Sequence, residues 1–63
     1  MMTIEQMPVL MVAALQNAKD HNSELFMYEG SWYFAGRGWG VVSGPYGSVE
    51  EAEEAIVAYI EAL

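Results

Sequence analysis

The chain has no cysteine. That absence removes a disulfide framework and a thiolate metal site, two common ways of stabilising a very small fold, and it excludes cysteine-based nucleophilic catalysis. A reducing cytoplasm is the compartment that fits. Basic residues are almost missing as well: Lys19 and Arg37 stand against nine acids among 63 residues, for a formal net charge of −7. Such a field repels phosphate, so direct binding of nucleic acid or of an anionic membrane is disfavoured, and a basic protein surface is the favoured partner. Long apolar runs are lacking too. The longest, Val9 to Leu15, falls far short of the roughly 20 residues that span a bilayer, and Glu5 stands where a signal peptide carries Lys or Arg. The reading is a soluble cytoplasmic protein.

What the chain does have is large apolar side chains. A domain of this size buries only about 60% of the surface its unfolded form exposes, so its core must be efficient, and Phe26, Tyr28, Trp32, Tyr33, Phe34 and Trp39 give the chain the large side chains that a small core requires. Thr3 and Gln6 form a capping-box pattern, and Ile4, Met7, Met11, Ala14, Leu15 and Ala18 then recur at helical spacing. They predict a first helix over about 3–20. Pro8 requires that this helix bend near it or begin closer to it. Asp20-His21-Asn22-Ser23 is a polar stop.

From Leu25 the apolar period becomes two. Strands are expected over about 24–28, 31–36 and 39–43, joined by tight turns at Glu29-Gly30 and Arg37-Gly38. That register pairs Tyr28 with Ser31 and Phe34 with Val41. It puts Leu25, Met27, Trp32, Phe34, Trp39 and Val41 on one face. Gly44-Pro45-Tyr46-Gly47 reads as a turn, and Ser48 with Glu51 as a second capping box opening a helix over about 48–63. Val49, Ala52, Ile56, Tyr59, Ile60 and Leu63 form the buried stripe of that helix. The expected architecture is a single α+β domain over 1–63 in the order α-β-β-β-α. It is a three-stranded antiparallel meander with both helices packed on the Trp32/Trp39 face.

The last helix holds Glu50, Glu51, Glu53, Glu54 and Glu61. At 100° per residue Glu50, Glu54 and Glu61 fall within about 40° of one another, with Glu53 nearer the core edge and Glu51 further round. Two readings stand. Carboxylates in a first turn favour the helix dipole by roughly 0.3–1 kcal/mol each, which accounts for Glu50 and Glu51 on a plain solvated face. That account omits Glu61 at the unfavourable end, and no Lys or Arg in the helix offsets the like-charge pair Glu50/Glu54, which costs roughly 0.2–0.5 kcal/mol. The second reading is a recognition face. Its i, i+4 step rises about 6 Å, close to two phosphates at roughly 3.4 Å each along a DNA strand. Glu5, Asp20, Glu24 and Glu29 are candidates to extend it.

The meander's other face would expose Phe26, Tyr28 and Tyr33. Single-strand binders pair such aromatics with a positive groove, which two basic residues cannot make, so a protein interface or dimer seam is the functional reading. Cover by Met1 to Thr3 is the structural alternative. Val9, Leu10 and Val12 lie off the first helix's main face and offer another contact. "GRGWG" at 36–40 lacks phosphate-loop spacing and precedes a strand, so it reads as a turn. His21 is the only histidine. Asp20, Asn22 and Glu24 lack the glycine and spacing of a calcium loop, and Ser23 beside His21 has no pocket to act in. No catalytic, cofactor or metal residue is assigned, and the protein is not expected to be an enzyme.

The stretch "GPYGSVEEAEEAI" resembles the strand-to-helix junction of small bacterial and phage domains, including peptidoglycan-binding SPOR domains, and implies that junction alone. In being short, cysteine-free, single-domain and strongly acidic, the chain is similar to small phage-encoded inhibitors such as anti-CRISPR proteins. That resemblance is one of composition. It implies a non-enzymatic inhibitor that occupies a basic nucleic-acid-binding surface in a bacterial host cell, for instance on a CRISPR effector subunit, acting as a monomer or weak homodimer. The alternative is a small dimeric structural or adaptor protein that uses the aromatic sheet face.

Overall fold

A computed structural model describes all residues from Met1 to Leu63. Four strands, β1 (Met2–Thr3), β2 (Leu25–Tyr28), β3 (Ser31–Ala35) and β4 (Val41–Tyr46), form one antiparallel sheet in the order β1-β4-β3-β2. Two helices, α1 (Val9–Asp20) and α2 (Val49–Glu61), complete an α+β fold. No helix is long and apolar enough to cross a membrane.

The first helix begins six residues later than the capping pattern predicts, and Pro8 is the reason. The Thr3 N–H does donate to Gln6 Oε1 at 3.0 Å, but this closes only a single 3-10 turn over Ile4–Gln6. Pro8 then sits at the N-cap of α1 with φ −60°, and its carbonyl accepts from Met11 and Val12. Proline is tolerated at such a start and disfavoured further in, so the helix restarts there. The residues before it are extended enough to add β1, where Met2 pairs with Val42 and Thr3 with Val41. Two residues carry no readable period, so this fourth strand is invisible in the sequence.

The sheet is apolar on both faces, and each helix covers one. Met11, Leu15 and Ala18 of α1 pack with Met7 onto Phe26, Tyr33, Ala35 and Val42. The Phe26 and Tyr33 rings stack at 5.8 Å, and Tyr28 meets Tyr33 edge-on at 6.1 Å. On the opposite face Phe34, 1% exposed, lies between the rings of Tyr46 at 6.0 Å and Tyr59 at 5.6 Å, with Ala52 fully buried. The expectation of both helices on the Trp32/Trp39 face is therefore corrected: α2 takes the Phe34 face and α1 the other. A helix buries only one stripe, so a sheet with two apolar faces needs two layers.

The β2–β3 hairpin has the expected register, Tyr28 opposite Ser31, with Glu29 (φ 50°) and Gly30 (φ 79°) in its turn. The second hairpin differs. Phe34 pairs with Ser43 rather than Val41, because the connection is a 3-10 turn over Arg37–Trp39, closed by Gly36 N–H to Val41 O at 2.8 Å. The slip is by two residues, so Val41 keeps its face while Trp39 leaves the strand and packs against the α1-side core. β4 also continues through Gly44-Pro45, a cis peptide, to Tyr46, so the expected turn there is part of a strand. Register shifts between Trp32 and Phe34 mark an irregularity opposite it. Only Val41 and Val42 pair with β1, so the N–H that Pro45 lacks is not needed on that side.

Candidate protein-docking surface

α2 is started by local chemistry. Ser48 Oγ accepts the Glu51 N–H at 3.2 Å, and Glu51 Oε2 accepts the Gly47 N–H at 3.2 Å. The first bond satisfies a backbone donor that the first turn would leave bare, and the second ties Glu51 back to the residue ahead of the N-cap. It also gives Glu51 a structural task within the chain.

The other glutamates of the helix point outward. Ala52 and Tyr59 define the direction of the sheet, and at 100° per residue Glu50, Glu54 and Glu61 lie on the opposite side with Val57. Glu50, Glu53, Glu54 and Glu61 are all exposed. From Glu50 to Glu61 the row covers about 16 Å along the axis. Glu50, Glu53 and Glu54 border a shallow depression around Val57, itself 53% exposed. The sequence reading thus located this stripe.

Its proposed extensions scatter. Glu24 lines a cleft beside the C-terminal half of α2, whereas Glu29 is in the β2–β3 turn next to Tyr28. Partial burial of the Tyr28 ring, reinforced by the Glu29 charge and then by Tyr33, holds the Tyr28 phenol above the ordinary tyrosine value. Asp20 accepts a hydrogen bond from Gln16 Nε2 at 3.0 Å at the end of α1, and Glu5 lies in the 3-10 turn. His21 Nδ1–H donates to the Asn17 carbonyl at 2.8 Å, which closes the same helix end. No three His, Asp or Glu side chains converge where they could hold a metal ion.

The second surface read from the sequence, Phe26, Tyr28 and Tyr33, is corrected. Phe26 and Tyr33 are each 8% exposed and lie under α1, and Tyr28 is half-buried against them. They form core, not an interface. Val12 also packs against that core, while Val9 and Leu10 are exposed.

A feature absent from the sequence reading is a cleft of about 380 Å³ between the β3–β4 loop and the C-terminal half of α2. Trp39, Ile56, Tyr59, Ile60 and Leu63 form its apolar walls, with Asn22, Glu24 and Arg37 at its polar edge. Its floor is fixed by the Arg37 backbone N–H, which donates to the Tyr59 hydroxyl at 3.2 Å. Gly36 allows this approach, because a Cβ there would strike the Val41 side chain and lie 3.1 Å from the Tyr59 hydroxyl. The helical wheel assigned Ile60 and Leu63 to the core. Ile60 lies toward the edge of the stripe and Leu63 follows the end of α2, and they are 56% and 64% exposed.

No curated protein and no solved structure matches the chain. Residues 16–63 match a family described as a domain of unknown function, DUF6316. The matched span takes in β2, β3, β4 and α2, and with them both the glutamate row and the cleft. It leaves out β1 and the first part of α1. On that match, which covers well over half of its length, the chain belongs to the DUF6316 family.

Proposed function

We propose that this protein is a non-enzymatic binding domain whose acidic helix docks onto a basic surface of a partner, one that otherwise receives nucleic acid. The carrying observation is the row Glu50, Glu54 and Glu61 with Glu53 beside it, exposed along one side of α2, with no basic residue in that helix. A row of carboxylates spaced by helical turns offers Lys and Arg side chains a succession of acceptors. The formal charge of −7 adds long-range attraction toward a positive surface. A subunit of a CRISPR effector is one surface of this kind; that candidate rests on composition alone, and the surface chemistry does not depend on it. The domain acts in the cytoplasm, as a monomer or weak homodimer.

The test is retention of bacterial proteins on the immobilised domain at low salt, followed by a salt gradient and by competition with duplex DNA. DNA- and RNA-binding proteins should elute sharply with salt and be displaced by the duplex, because exposed ion pairs are screened. The double variant Glu50→Lys, Glu54→Lys should lose them. Equal retention by that variant, or binding indifferent to high salt, would sink the proposal.

A further inference from the structure

We infer that the cleft beside α2 receives an apolar anchor side chain from a basic, amphipathic segment of the partner, an inference that rests on the acidic-helix reading above. The cleft has the dimensions for this: about 380 Å³ lies within the roughly 300–1,000 Å³ typical of binding pockets. Its walls are apolar and aromatic, and Ile60 and Leu63 leave more than half of their surface to water. Clefts of this kind take the central anchor of an interface.

The backbone around the cleft is unusual as well. Asn22 at φ 54° and Trp39 at φ 59°, two of the three non-glycine residues with positive φ, both line it. Asn22 closes the C-terminus of α1, where the Ser23 N–H reaches the Ala18 carbonyl and a left-handed asparagine is ordinary, so Trp39 is the residue whose conformation shapes the cleft. Trp39 packs on the α1-side core while lining the cleft, so the loop has little freedom to collapse into it.

Charge selects the occupant. Within the lining Glu24 and Arg37 balance, and the excess negative charge lies just outside it, in Glu50, Glu53 and Glu54 around Val57 and in Glu61 next to Ile60 in the chain. Val57 and Ile60 carry exposed apolar surface from the cleft to the glutamate row. A second copy would bring another −7 charge to this edge, and an anionic membrane would be repelled. A basic amphipathic segment satisfies both parts of the surface. Its apolar residue fills the cleft while Lys and Arg beside it meet the glutamates.

The test uses a short helical peptide of Leu and Lys, with a second peptide in which Ser replaces every Leu, titrated into the ¹⁵N-labelled domain at two salt concentrations. The Leu/Lys peptide should shift the Trp39, Tyr59 and Ile60 amides, and the Ser peptide should bind about tenfold more weakly or worse. Ile60→Ser and Leu63→Ser, at exposed positions that leave the core intact, should each weaken the Leu/Lys peptide several-fold without changing its salt dependence. Equal affinity for both peptides, with shifts confined to the outer glutamates, would overturn the cleft's role and leave the acidic-helix reading standing. Binding by neither peptide would count against both. Concentration-dependent self-association abolished by Ile60→Ser would give the cleft to a second copy and overturn the inference.

Discussion

Phe34 is the residue on which the second layer of the fold depends. It is 1% exposed and held between Tyr46 and Tyr59, so its ring joins β3 to both β4 and α2. Truncating a fully buried phenylalanine to alanine costs about 3–5 kcal/mol. At about 0.05–0.15 kcal/mol per residue, a chain of 63 residues has a total stability of roughly 3–9 kcal/mol. Phe34→Ala should therefore be largely unfolded or close to it. Phe34→Leu keeps most of the apolar volume but loses two ring pairs worth about 0.5–1.5 kcal/mol each, for a total of about 1–3 kcal/mol. Urea unfolding followed by far-ultraviolet circular dichroism and by tryptophan fluorescence should rank wild type above Phe34→Leu and that above Phe34→Ala. Val57→Ser, on the exposed side of the same helix, should stay within about 0.5 kcal/mol of wild type. A cost below about 1 kcal/mol for Phe34→Ala would refute the clamp, and with it the packing of α2 on this face.

Gly44→Ala should be severe: at φ 144° the new Cβ would lie 2.5 Å from Tyr33 Cδ2 and 2.9 Å from the Trp32 carbonyl oxygen. A clash of this kind costs about 1–3 kcal/mol before backbone strain is added. Gly30→Ala at φ 79° meets open space and should lose only about 1–2 kcal/mol to backbone strain, so the same urea assay separates the two. Ser48→Ala removes the acceptor for the Glu51 N–H and should lower stability by about 1 kcal/mol, while Ser23→Ala, whose hydroxyl donates to the Leu25 carbonyl and caps no helix, should cost less. In alkaline solution the unfolded chain ionises Tyr28 before the folded one does. The contribution is intact below the unfolded value and is lost as pH rises through the folded value, so the urea midpoint should fall there. Tyr28→Phe should flatten that fall, and an unchanged slope would refute the assignment to Tyr28.

Much of the fold is legible residue by residue. Period-two alternation around Glu29-Gly30 gives the first hairpin with its register, and the Ser48/Glu51 box marks the start of α2. The capping box at Thr3 is real as well, but Pro8 determines whether a helix can continue, and a local pattern does not rank two local signals. The second hairpin escapes because Gly36 and Gly38 both offer plausible turns, and Trp39 in a left-handed conformation contradicts its own preference. A sheet with one wet face would leave Phe26 and Tyr33 exposed. Their alternation with Phe34 already carried two apolar faces, and only the tertiary arrangement shows that there is a helix for each. The glutamate row follows from the wheel, since a solvent-facing stripe depends on one helix alone. The cleft does not, because it is made by a loop and a helix end that are distant in sequence.

α2 contributes one buried side chain, Ala52, whereas α1 contributes Met11, Leu15 and Ala18. The helix that carries both the carboxylate row and one wall of the cleft thus buries fewer side chains completely, although it lies against β2, β3 and β4. Its amides should exchange with solvent through detachment of α2 alone, at a lower free-energy cost than opening the whole sheet. Any partner gripping both the cleft and the glutamates would suppress that detachment. Occupancy would then be written in the deuterium uptake of α2, with α1 keeping time unchanged.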